Sequence, residues 1–176
     1  MYKMTSKKLK YMVILLYQNK KEKGLKRQNN ERHKREDITM SVVKELIRTE
    51  KNGKISFGNY ELAQKSKVSD FEYDGDIYKV KTYKEITKLE RNGMFVYESV
   101  PGTTVLDLEE KEDKMSFTVE GPQDAQITVE MEEDAQYKIV IDGEEAGQMK
   151  TNLGGKLSFS VELEQAEQVA VQIERI

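Results

Sequence analysis

Apolar residues recur at every second position through much of the chain, and no other feature narrows the fold as far. "MSFTVEG" (115–121) sets Met115, Phe117 and Val119 on one side and Ser116, Thr118 and Glu120 on the other. "QITVEM" repeats the pattern with Ile127, Val129 and Met131, and "YKIVIDG" with Tyr137, Ile139 and Ile141. "KLSFSVEL" gives Leu157, Phe159, Val161 and Leu163, and "QVAVQIERI" gives Val169, Val171 and Ile173. Nearer the start, "KISFGNYEL" offers Ile55, Phe57 and Asn59. Alternation of this kind describes a strand with one dry face and one wet face. Burying each such side chain is worth about 1.5–3 kcal/mol. That gain is realised only where dry faces meet, so two sheets must stack. The predicted fold is all-β: a two-layer antiparallel sandwich, immunoglobulin-like or jelly-roll-like, of about ten or eleven short strands.

Turn residues fall between these runs. Asn52-Gly53, Asp74-Gly75, Asn92-Gly93, Asp142-Gly143 and Gly154-Gly155 tolerate positive φ and read as hairpin turns. The only prolines, Pro101 and Pro122, sit beside glycine between strands, where a missing N–H costs least. Met40 to Thr49 could make one or two helical turns with Val42, Val43, Leu46 and Ile47 on a face, but the following Asn-Gly favours a strand. Tyr60 to Lys67 reads as a short helix or a loop. A soft boundary falls at 98–104, with residues 103–176 able to supply about seven strands of their own; one continuous core over 40–176 is the expectation.

Charge divides the chain differently. Residues 1–39 carry 12 Lys/Arg against 4 Asp/Glu, a net +8, whereas residues 40–176 carry 17 against 28, a net −11. The basic segment is expected to be poorly ordered, and three readings of it compete. As a targeting segment, its apolar run from Tyr11 to Tyr17 is short, lacks a small-residue cleavage site and is far below the roughly 20 residues of a membrane span. As a basic arm for RNA or an anionic membrane, "KEKGLKRQNNERHKR" has the charge but no aromatic to stack on bases. The favoured reading is that it lies upstream of the natural start. Codons for Glu36-Asp37 can contain a ribosome-binding run just before a Met40 start codon.

The totals exclude several chemistries. With no cysteine, disulfides and thiolate metal sites are out, which suits a reducing, cytoplasmic compartment. A single histidine, His33, leaves no imidazole metal site and no His-based triad in the body. "DFEYDGDIYK" places Asp70, Glu72 and Asp74 at alternate positions before Gly75, as in an EF-hand loop, but the twelfth place holds Lys81 where an acid is required. "TNLGGK" ends like a phosphate loop, yet Lys150 stands where the first glycine belongs and Ser158 is displaced. The acidic pairs Glu109-Glu110, Glu132-Glu133 and Glu144-Glu145 are adjacent residues, which on a strand point to opposite faces rather than across a cleft. Tyr60, Tyr73, Tyr78, Tyr83, Phe95, Tyr97 and Tyr137 could include a sugar-stacking or protein-contact platform, though core or edge packing is favoured. No catalytic, cofactor-binding or metal residue is assigned.

"MSVVKELIRTEKNGKISFGNYEL", "YKVKTYKEITKLERNGMFVYESVPGT" and "YKIVIDGEEAGQMKTNLGGKLSFSVEL" resemble a group of small bacterial proteins labelled "endosialidase". The resemblance spans nearly all of 40–176 and none of 1–39. Its label implies cleavage of polysialic acid, but these segments hold no catalytic motif that can be carried over. The reading that follows is a non-enzymatic module for an unknown protein or carbohydrate partner, without cofactor. A small glycoside hydrolase is the alternative, and nucleic-acid binding through the basic arm is a second one.

Overall fold

The computed structural model describes residues 42–166 and 168–176; the readings of residues 1–39 lie outside the described residues. The chain divides after residue 40, and the part from Ser41 to Ile176 holds every described element. No helix occurs among the described residues. Thirteen strands do: β1 (Ile47–Thr49), β2 (Ile55–Phe57), β3 (Ser66–Tyr73), β4 (Asp76–Tyr83), β5 (Ile86–Arg91), β6 (Met94–Val100), β7 (Thr104–Lys111), β8 (Lys114–Glu120), β9 (Ala125–Glu130), β10 (Gln136–Ile141), β11 (Glu144–Lys150), β12 (Lys156–Val161) and β13 (Val169–Arg175).

Two antiparallel sheets share these strands. A seven-stranded sheet runs β1-β2-β7-β8-β13-β10-β11 and a six-stranded sheet runs β12-β9-β6-β5-β4-β3. The last six strands pair in a nested way: β8 with β13, β9 with β12, β10 with β11. A long two-stranded ribbon thus folds over itself, which is jelly-roll winding and not the strand order of an immunoglobulin domain. The alternating side chains fill the space between the layers: Met115, Phe117, Val119, Ile127, Val129, Tyr137, Ile139, Leu157, Val171 and Ile173 are all buried in one cluster. Across the layers the Tyr97 ring meets Phe57 and Phe117 edge-on, with centroids 5.4 and 5.7 Å apart. Such pairs add about 0.5–1.5 kcal/mol beyond area burial.

Local expectations are settled as follows. Gly154-Gly155 is not a hairpin turn, because β11 and β12 belong to different sheets and the turn arches between the layers. Residues 101–103 are likewise a crossover, from β6 in one sheet to β7 in the other. Only Ile47–Thr49 of the first segment is strand; Val42 and Val43 are buried without pairing in a sheet, and Leu46 turns the chain at φ 70°. Residues 60–65 form a loop, with strand from Ser66 onward.

The sandwich has two distinct ends. The far end gathers the β2–β3, β4–β5, β6–β7, β8–β9, β10–β11 and β12–β13 links. The crossover at 101–103 is tied down there by buried hydroxyls. Thr103 Oγ1 lies 2.9 Å from Tyr97 OH and 2.8 Å from Ser99 Oγ; Thr87 Oγ1 donates to Thr103 O (2.7 Å) and lies 2.8 Å from Thr82 Oγ1, which accepts from Asn59 N. Buried polar groups are tolerated only when paired in this manner. Burial holds the Tyr97 phenol well above its ordinary pKa, against the pull of Thr103 and Ser99, so it stays neutral and able to donate.

Candidate functional site

The near end gathers the β1–β2, β3–β4, β5–β6, β7–β8, β9–β10 and β11–β12 turns together with Ile176. Its centre is an ion pair between the sheets. Arg91 closes β5 and Glu110 lies near the end of β7, and the guanidinium donates two parallel bonds to the carboxylate at 2.9 and 3.2 Å. Tyr78 shares the same guanidinium, and Asp76 stands 4.0 Å from its Nε. Burial by itself would lower the Arg91 pKa, but the bonds to Glu110 and Tyr78 outweigh that and hold the proton on. Burial raises the Tyr78 phenol against the pull of Arg91.

Two hollows flank this bridge. One of about 340 Å³ lies over Phe95, Val96 and Met131 and is rimmed by Glu110, Glu130 and Glu132. The other, about 290 Å³, lies over Ile55, Tyr73, Tyr78 and Leu108, with Lys54 and Asp76 on its rim. The turns around them are braced. Tyr73 OH donates to Gly53 O at 2.6 Å, and Asn92 Nδ2 donates to Asp76 Oδ1 at 2.6 Å. Asn152 Oδ1 accepts from the N–H groups of Gly154 and Lys156, and Arg175 pairs with Glu132.

Apolar side chains crown the same end. Six large apolar residues are exposed among the described residues, and five belong to this end or to the strand residues beside it: Ile77, Met94, Met149, Leu153 and Ile176. Leu153 is 86% exposed at the tip of its braced turn, and Met94 is 63% exposed. Clustered exposed apolar groups among polar rims mark interaction surfaces more often than scattered ones do.

The sequence candidates distribute as follows. Asp70, Glu72 and Asp74 lie in the β3–β4 hairpin, with Asp74 and Gly75 at positive φ in its turn, so strands rather than helices flank the acids. No cluster of potential metal ligands occurs among the described residues. Glu109 and Glu110 diverge as strand geometry requires, Glu109 towards Lys54 and Lys111, Glu110 towards Arg91. Glu132 turns to Arg175 and Glu145 accepts from Gln148. Of the aromatics, Tyr78, Tyr97 and Tyr137 are core, Tyr73 packs edge-on to Tyr78 at 5.8 Å, and Phe95 sits beneath the Lys156 ammonium at 4.4 Å; they form no single platform. Sequence reasoning missed the Arg91–Glu110 bridge, because nothing local joins residues 19 positions apart in different sheets.

No protein-family model, no curated protein and no solved structure matches the chain. No helix among the described residues is long and apolar enough to cross a membrane.

Proposed function

We propose that the protein is a non-enzymatic binding module that uses the near end of the sandwich to hold a protein or carbohydrate partner. The reading rests on one observation: five of the six large apolar side chains exposed among the described residues lie at the end of the sandwich that holds the two hollows, and Met94 lines one of them. Rigid loops on a sandwich are a common platform for recognition. The absence of cysteine suits a cytoplasmic setting.

The hydrolase alternative needs a carboxyl held protonated beside an ionised one. Glu110, the carboxylate shared by both hollows, is instead clamped by Arg91. Glu50, Glu90, Glu109, Asp124 and Glu174 have their titration displaced downward, towards the ionised form. A pull-down from the native host combined with a glycan array tests the reading. A partner should bind the wild type and be lost from a Leu153→Glu/Met94→Glu variant of unchanged melting temperature. Release of reducing sugar from polysialic acid, or a partner that ignores both substitutions, would overturn it.

A further inference from the structure

The two flanks of the sandwich treat their edge strands differently. At one flank β1, three residues long, lies against β3, which carries Lys67 and is bent by a bulge at Asp70. Short strands, lysines and bulges are how native sheets discourage an added strand. Counting from that flank, six strands lie over six, so β12 comes opposite β10 and β11 overhangs with no strand beneath it. Burial agrees. Tyr137 and Ile139 of β10 are buried, whereas every residue of β11 except Gly147 is exposed. Met149 pairs with Tyr137 and so points to the inner face, yet it is 39% exposed. The β11 bulge lies towards the far end, and pairing is regular from Gly147 to Lys150.

Both strands of this flank turn backbone groups outward. Thr151 N donates to Ala135 O and Met131 N to Gly155 O, so the odd-numbered residues of β11 and β12 face their neighbours β10 and β9. Gln148 and Lys150 of β11, and Ser158 and Ser160 of β12, therefore point N–H and C=O to the open side. Such edges take up a further strand where one is offered. The chain reverses between β11 and β12, so the two edges run antiparallel. A second copy, turned about a two-fold axis parallel to the strands, brings its β12 beside β11 in one layer and its β11 beside β12 in the other. Each overhang then fills the place of the strand that the other copy lacks. Pairing like with like fails: β12 on β12 drives each overhang into the other copy, and β11 on β11 leaves a gap beneath both. Setting Gln148 opposite Ser160 and Lys150 opposite Ser158 clears Lys156, whose backbone is held by Asn152. The same register lays Met149 opposite Phe159, an apposition that suits sulfur and aromatic ring.

We infer that the protein forms a two-fold dimer in which β11 of each copy pairs with β12 of the other. The inference does not rest on the near-end reading: it takes Met149 from the apolar residues of that end, and Leu153→Glu/Met94→Glu substitutes no residue of either edge strand. Sedimentation equilibrium of the full chain at micromolar concentration should give twice 20.4 kDa, falling towards the monomer on dilution. Met149→Lys places a charge beneath the overhang, and Ser160→Pro removes an N–H that faces the open side. Each acts twice per dimer and should weaken association at least about tenfold. At dilutions where the wild type is monomeric, both should melt with it, which separates lost pairing from lost folding. With no native cysteine, disulfide trapping reads the partners directly. Gln148→Cys/Ser160→Cys should yield oxidised dimers; within one copy these positions lie in layers about 10 Å apart, too far to bridge. Neither single cysteine variant should cross-link, since like residues stand apart across the axis. A wild type that stays monomeric, variants that associate as tightly as it does, an uncross-linked double variant or a cross-linked single one would each overturn the inference.

Discussion

The two ends of the sandwich solve opposite problems. At the far end the chain passes so close to itself that side chains are excluded: a Cβ on Gly102 would collide with the Tyr83 carbonyl, and one on Gly58 with that of Thr103. Hydroxyls buried within the layers then satisfy the backbone there. At the near end the hairpin glycines Gly53, Gly75 and Gly93 have open space around the missing side chain and serve only a positive φ, whereas Gly155, in the arch between the sheets, lies against the Met131 carbonyl. The far end is closed where the β6–β7 crossover must be held, and the near end is left open at its hairpin turns, with apolar residues on show. An end closed in this way has little freedom to change without loss of the fold, whereas the open end can vary in side chain at little cost.

The comparison breaks first at glycine. Gly102→Ala should cost about 3 kcal/mol in urea unfolding, because the methyl group has no room. Gly93→Ala should cost about 1 kcal/mol, the strain of a positive φ alone. Equal costs would mean the ends are built alike. Next, Thr103→Val takes a hydrogen-bond partner from both Tyr97 and Ser99 inside the core, and should cost about 2 kcal/mol by the same measurement.

A third test concerns pH. The Asp124 carboxylate accepts from the backbone N–H groups of Glu164 and Leu163, at 3.1 and 2.9 Å, which holds its pKa below the ordinary value. A depressed carboxyl contributes stability that is complete above its unfolded pKa, about 4, and is lost as pH falls through the lower folded value. The gap in melting temperature between wild type and Asp124→Asn should therefore be present at pH 7 and shrink towards pH 3; a constant gap would remove Asp124 from the acid limb. The smallest effect belongs to the open end, where Leu153→Glu should alter stability by no more than about 0.5 kcal/mol in thermal unfolding.

Strand existence was most legible where alternation ran unbroken. Met115, Phe117 and Val119, or Leu157, Phe159 and Val161, point inward as their spacing requires. It was least legible in β3 and β7, where bulges between Val68 and Phe71 and between Leu106 and Glu109 insert an extra residue and reverse the phase. Asp70 and Asp107 take positive φ at those places, a conformation that aspartate tolerates but that no short-range pattern announces. The expected sandwich was therefore two or three strands short. Sheet membership was not legible either, since alternation tells which side chains are dry but not which layer they face; hence the misreading of Gly154-Gly155. Leu153 gave no warning as an interaction residue, because only the assembled end distinguishes an exposed leucine from a buried one.

The nested ribbon also governs when the molecule can exist during its own synthesis. β13 is the last of the described strands in chain order, yet it lies within the seven-stranded sheet, between β8 and β10. Until Val169–Arg175 has left the ribosome, β8 and β10 have no common neighbour, and both hold apolar faces and open edges towards solvent. Assembly of that sheet is thus withheld until β13 has been made, and pairings spanning such long stretches close slowly. During that interval the nascent chain is most in need of a chaperone's shelter.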